Sequence, residues 1–209
     1  MPGEDDRACS EIMEAMLLCS GERGFRNVEL EMVCARSACT SEEFRSWFRD
    51  LDHCFADAFG AKAARLWAES STGLGQSDLR DCLERGLESL FDFVAEQPLI
   101  ARAMLLEVHA AGVDARAMRQ RVLDRIASAL EHAACAESSR SSRSPLTAPF
   151  MVGAIEQIFV EAVTRPSPRS ASFVPGVAEM VCEAFGIEER RRPPRIVQLS
   201  GGNALPVGS

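Results

Sequence analysis

The chain has 209 residues, 46% of them hydrophobic and 26% charged, with a formal net charge of −8. That balance suits a globular chain of one large domain, or a small head on a core domain. The acidic total excludes a chain-wide basic surface for nucleic acid or an anionic membrane.

Taken in chain order, the first predicted helix runs from about Glu4 to Glu22, with Ile12, Ala15, Met16 and Cys19 at helical spacings and Met13 and Leu17 widening the stripe. Gly21 and Gly24 bracket its end, Gly24 as a left-handed C-cap, and Phe25 is expected to fold back into the core beneath it. A short second helix, Val28 to Arg36, buries Leu30, Val33 and Cys34. Thr40 then has the chemistry of an N-cap, and Glu43 completes a Thr-x-x-Glu capping box. The third helix, from Ser41 to about Phe48, is expected to turn Phe44, Trp47 and Phe48 inward. Two short helices joined by a tight turn form a helix-turn-helix.

A fourth helix, Asp50 to Ser70, carries the ridge Cys54, Phe55, Ala58, Phe59, Ala63, Leu66 and Trp67. At about 30 Å it is long enough to join a head rigidly to a body. After a Ser/Gly loop, Ser77 is expected to cap a fifth helix, Asp78 to Gln97. Pro98 opens a sixth, Leu99 to Ala111. The seventh, Asp114 to Ala136, turns Met118, Val122, Leu123, Ile126 and Leu130 inward. Beyond the polar stretch Glu137 to Ser144, an eighth helix, Leu146 to Thr164, is apolar on more than one face and must be covered on several sides. RPSPRS at 165–170 is a turn. A ninth helix, Ala171 to Phe185, follows, with Pro175 delaying its start by a few residues. Residues 188–209 are rich in Pro and Gly and are expected to be disordered. No segment alternates with period two, so the fold class is all-α.

The segment Arg7 to Phe55 resembles the DNA-binding head of the TetR family of bacterial transcriptional regulators. The matching features are Gly24-Phe25 after the first helix, Val33-Cys34 in the second, the turn Ser37-Ala38-Cys39-Thr40, and a recognition helix carrying Phe44 and Phe48. The run Asp50 to Phe55 stands where the next helix of such proteins starts. The resemblance covers roughly 185 residues, with specific motifs in the first fifty or so. It implies a helix-turn-helix head at 1–49, a six-helix ligand-binding and dimerisation body at 50–187, and pairing of two copies through the eighth and ninth helices.

In a helix-turn-helix the second helix lies in the major groove of double-stranded DNA, where short polar side chains and arginine read base edges and basic groups hold phosphates. The outward candidates here are Thr40, Ser41, Glu42, Arg45 and Ser46, with Arg26, Arg36 and Arg49 placed to reach phosphates. Several positions depart from the family pattern. Val28 stands where a phosphate-touching Thr is usual, Glu42-Glu43 where Gly-Thr is usual, Arg45 for a Tyr, and Leu51 for a Lys. Residues 1–50 also hold eleven acidic against six basic residues, which opposes phosphate binding. The alternative is therefore a protein of this fold that has lost operator binding and acts as a ligand sensor or protein-interaction partner.

The resemblance also implies a cavity between the fourth and eighth helices for a small apolar ligand, with Phe91, Met104, Val108, His109, Met118, Phe150 and Gln157 as candidate wall residues. Such cavities are mostly apolar with a few polar groups. The resulting expectation is a ligand-responsive repressor.

The eight cysteines, at 9, 19, 34, 39, 54, 82, 135 and 182, form no Cys-x-x-Cys and no Cys-His cluster with zinc spacing. They are expected to be reduced thiols, mostly buried as small hydrophobes, with Cys39 in the turn the candidate for a redox thiol. No Gly-rich phosphate loop, His-Glu-x-x-His or Gly-x-Ser-x-Gly occurs, so neither an enzyme, a cofactor nor a metal is expected. No long apolar run suggests a membrane span, and the acidic N-terminus lacks the order of a signal peptide, so a cytoplasmic location is expected.

Overall fold

The computed structural model describes residues 4–72, 74, 78–137, 144–165 and 170–187. Among them the chain forms nine α-helices and no strand. These are α1 (Glu4–Arg23), α2 (Leu30–Ser37), α3 (Ser41–Trp47), α4 (Leu51–Ser70), α5 (Leu79–Glu96), α6 (Pro98–Leu105), α7 (Gly112–Glu137), α8 (Thr147–Thr164) and α9 (Val174–Ala184). Single 3-10 turns occupy Phe25–Asn27, Glu107–His109 and Ser170–Phe173.

The head is built by local chemistry. Gly24 holds φ 81° after α1, which lets Phe25 turn under the head and meet Phe55 edge-on, ring centroids 5.3 Å apart. α2 ends at Ala38 in the left-handed region, φ 54° and ψ 30°, where glycine is the usual occupant. The Thr40 hydroxyl accepts from the Glu43 N–H at 3.1 Å, and the Glu43 carboxylate accepts from the Thr40 N–H at 2.6 Å. This closes the capping box. Phe44 and Phe48 are both buried, with their rings 5.4 Å apart. Trp47, expected inward, is instead 38% exposed. α3 stops at Trp47, and the extended Phe48 (φ −129°) fills the core slot in its place.

The core of the head continues past residue 50. One buried cluster joins Ile12, Met16, Val33, Phe44 and Phe55 to Ile100, Val108 and Ala115. α1 thus packs on α4 and also on α6. Gly21 is the point of closest approach: a Cβ added there would stand 2.0 Å from the Leu99 carbonyl oxygen. Two further clusters lie in the body. Leu79, Leu130, Val152 and Val181 anchor one, and Leu87, Phe91, Phe159 and Val177 the other.

Several boundaries differ from the sequence reading. The sixth helix ends at Leu105, not Ala111, and the chain passes through the 3-10 turn before α7. The break buries Val108 and sends the Glu107 carboxylate to the Phe25 N–H, 3.0 Å away. Asp50 is the N-cap of α4 and accepts from the His53 N–H at 2.8 Å. Asp78 caps α5 through the Arg80 N–H at 3.0 Å. The expected cap Ser77, the tail at 188–209 expected to be disordered, and most of the loops at 137–144 and 165–170 fall outside the described residues. α9 begins at Val174 with Pro175 in its first turn, where a missing N–H costs nothing. α8 is covered by α7, α6 and α5, yet Leu146 and Phe150 remain about 70% exposed.

Candidate functional sites

Two regions carry chemistry. The first is the outer face of α3. Glu42, Arg45 and Ser46 are exposed there, Ser41 is half-buried at the first turn, and Thr40 is exposed at the cap. The Thr40 hydroxyl is spent on its helix, and Ser46 donates to the Glu43 carbonyl at 2.6 Å. Capping also draws Glu43 back onto the helix start, and its hydrogen bonds from Thr40 hold its pKa below the usual glutamate value. The negative charge projecting from α3 is therefore that of Glu42, beside the positive charge of Arg45.

The four candidate arginines divide into two pairs. Arg26 and Arg45 are exposed, with no ion-pair partner among the described residues. Arg36 donates to Glu22 at 2.6 Å, an ion pair that lowers the Glu22 pKa. Arg49 bridges Asp50 at 2.8 Å and Asp114 at 3.2 Å. Its hydrogen bond, followed by the His53 N–H, holds Asp50 below the ordinary carboxylate range. Arg49 thus ties the head to the start of α7.

The second region is a cavity of about 250 Å³ enclosed by α4, α5, α6, α7 and α8. Phe59 and Trp67 of α4, Leu87 and Phe93 of α5, Met104 of α6 and Phe159 of α8 contribute to its wall. Of the seven candidate wall residues, Met104 alone lines it. Phe91 is instead buried against Phe159, with ring centroids 4.7 Å apart. Val108 is fully buried in the core beneath the head, and Met118 packs against Gly60. His109 is exposed on its 3-10 turn, and Phe150 and Gln157 are exposed on the outward side of α8. Val108 and His109 lie elsewhere because α6 stops early, and Phe150 and Gln157 because α8 turns them away from the bundle.

Sequence reasoning passed over Arg119 and Glu156, which form a two-pronged ion pair on the cavity wall. Arg119 Nε donates to Glu156 Oε1 at 2.9 Å, and Nη2 donates to Oε2. A signal existed. Arg119 follows Ala115 and precedes Val122 and Ile126 at helical spacings, and Glu156 sits between Val152 and Phe159, so both charges interrupt apolar stripes. Glu107 was passed over too; its signal was a carboxylate in a stretch expected to be plain helix.

A separate groove between α4 and α5 holds the chain's single lysine. Lys62 Nζ donates to the Gln97 side chain at 2.7 Å and lies 5.5 Å from the Phe93 ring centre. Burial lowers its pKa. No group of His, Cys, Asp and Glu that could hold a metal is found among the described residues. No described helix is long and apolar enough to cross a membrane.

No protein-family model and no curated protein matches the chain. Solved structures do. The fatty acid degradation regulator FadR of Bacillus halodurans matches with a TM-score of 0.73 at 13% identity, over 87% of this chain and 96% of that one. FadR of Bacillus subtilis, solved with stearoyl-CoA, matches with a TM-score of 0.72 at 12% identity, over 83% and 97%. A putative TetR-family regulator from Rhodococcus sp. reaches 22% identity with a TM-score of 0.66, over 83% and 97%.

Proposed function

We propose that this chain, which has the fold of TetR-family transcriptional regulators, is a dimeric DNA-binding repressor released by a small, mainly apolar ligand. One observation carries the reading: α3 is locked by its capping box and by Phe44 and Phe48, while Glu42, Arg45 and Ser46 project from its outer face. A rigid short helix with a polar outer face suits a major groove.

In this reading residues 1–49 form the reading head and 50–187 the sensing and pairing body. Arg45, Ser41, Ser46 and Glu42 meet base edges. Arg26 meets phosphate. Arg36 and Arg49 reach phosphate only by leaving Glu22 and Asp114, so they contribute less to affinity. The apolar wall around Phe93 and Met104 supports an apolar ligand, and the stearoyl-CoA held by the Bacillus subtilis FadR structure is in keeping with that.

Two copies would pair through α8 and α9. Leu146, Phe150, Gly153 and Gln157 recur along one side of α8, and Phe173, Gly176 and Met180 along one side of α9. The large apolar members are exposed, and a Cβ added at either glycine meets nothing within 4 Å. Paired with its own copy about a two-fold axis, such a surface would set two heads side by side.

The test is a mobility shift on the DNA flanking the chain's own coding region, at two salt concentrations. The expected result is a site-selective, salt-weakened shift that is lost in Arg45→Ala. Sedimentation should show a dimer that Phe150→Glu dissociates. A folded dimer giving no shift at low salt would replace this reading with that of a sensor or interaction protein that reads no operator.

A further inference from the structure

The cavity wall has one unspent polar resource. The Ser70 and Ser71 hydroxyls at its end donate to the Leu66 and Trp67 carbonyls at 2.7 and 2.6 Å. Glu156 accepts one Arg119 donor on each oxygen. A guanidinium has five N–H donors, and only two are used. The Nη1 pair and the second Nη2 hydrogen meet no other acceptor among the described residues. No buried side-chain nitrogen lacks a partner, so Nη1 lies at accessible surface.

We propose, resting on the ligand-cavity reading above, that Arg119 with Glu156 selects an uncharged apolar molecule bearing one carbonyl-type oxygen. The Glu156 carboxylate cancels the guanidinium charge and leaves its spare N–H groups free to donate. An ionised carboxylate ligand would bring a net negative charge into an apolar wall with no second cation. It binds only by displacing Glu156, which leaves that carboxylate unpaired. A cation would reach Glu156 only beside the Arg119 guanidinium, whose like charge opposes it. A plain hydrocarbon leaves the donors without an acceptor. Phe59, Phe93 and Phe159 supply the apolar contact for the rest of the molecule.

The chain contains two tryptophans. Trp47 lies on α3, and Trp67 lines the cavity. In the full chain carrying Trp47→Phe, Trp67 fluorescence reports binding directly. Four probes of matched chain are titrated: methyl laurate, laurate, dodecane and dodecylamine. The expected order puts methyl laurate first by about tenfold or more, the discrimination of one hydrogen bond to a charged donor. Glu156→Gln should make laurate the tightest of the four, because the ligand then replaces the missing carboxylate. Arg119→Met with Glu156→Met keeps the bulk of the pair and should bind dodecane as well as the ester.

A wild-type preference for laurate, or equal binding of ester and dodecane, overturns the selection proposed here and leaves the apolar cavity reading standing. If no probe alters Trp67 in the folded protein, the ligand cavity itself is refuted and this inference falls with it.

Discussion

Gly21→Ala is the substitution that most directly probes how the head is fastened to the body. In a helix interior, propensity alone predicts a gain of about 1 kcal/mol for this change. The packing predicts the reverse. The new Cβ would stand 2.0 Å from the Leu99 carbonyl oxygen, whereas close carbon–oxygen contacts lie at about 3.3–3.6 Å. α1 and α6 must therefore separate by more than an ångström. The obstacle is backbone, so no rotamer change relieves it, and the cost falls at the upper end of the overpacking range, about 3 kcal/mol. The net loss is about 2 kcal/mol, or roughly 4–8 °C in melting temperature for a chain of this size. Urea unfolding at fixed chain concentration should show a lower midpoint with an unchanged slope. A variant as stable as wild type, or more stable, would refute the close crossing of α1 and α6.

Three further outcomes are expected. Ala38→Gly should stabilise the fold by about 0.5–1 kcal/mol in urea unfolding, since the left-handed penalty at φ 54° exceeds the entropy that glycine adds to the unfolded chain. Glu107→Ala should cost about 1–3 kcal/mol by stranding the Phe25 N–H, and hydrogen exchange should rise at Phe25 ahead of the body helices. Stability should decline at both ends of the pH scale. Asp50 is held below its ordinary 3.8 by Arg49 and the His53 N–H, so its contribution is full above that value and is lost as pH falls through the lower folded value. Burial raises Cys182 from 9.0 to about 11, so its contribution is full below pH 9.0 and is lost as pH rises through about 11. Urea midpoints across pH should show both limbs, with Asp50→Asn making the acid limb shallower and Cys182→Ala the alkaline one, part of which persists because burial also raises the Cys54 thiol.

The helices were legible because their signals are local. A capping box, a glycine after α1 and stripes at 3.6-residue spacing each act within a turn or two, and the elements they define were found to within a few residues. What was not legible depends on contacts distant in sequence. Trp47 reads as part of an inward face by spacing, but the extended residue after α3 decides which ring the core admits. The early end of α6 follows from a carboxylate meeting an N–H 82 residues away. His109 and Gln157 drew notice as polar residues in apolar surroundings, yet they are exposed, while Arg119 and Glu156 line the cavity. A polar residue inside an apolar stripe is a better cavity signal than a polar residue near one. Phe150 illustrates the converse limit, since periodicity marks an apolar face without saying whether the same chain or a second copy covers it.

The same long-range contacts decide how the cavity can act on the head. Met104 and Leu105 form part of the cavity wall and lie on α6, whose Leu99 carbonyl leaves no room for a side chain at Gly21. Just beyond α6, Glu107 holds the Phe25 N–H. At the start of α7, Asp114 holds Arg49 at 3.2 Å. These contacts join the head to one short stretch of body, residues 99–114, and they are of unequal stiffness. The exposed Arg49–Asp114 pair is screened and weak, whereas the backbone contact at Gly21 cannot yield by rotamer changes. A ligand that displaces α6 must therefore displace α1 with it, while the ion pair can break and re-form. Head movement should thus survive Asp114→Asn and be altered by substitutions at Gly21 or Glu107, a ranking that inter-head distance measurements on spin-labelled dimers, with and without ligand, can check.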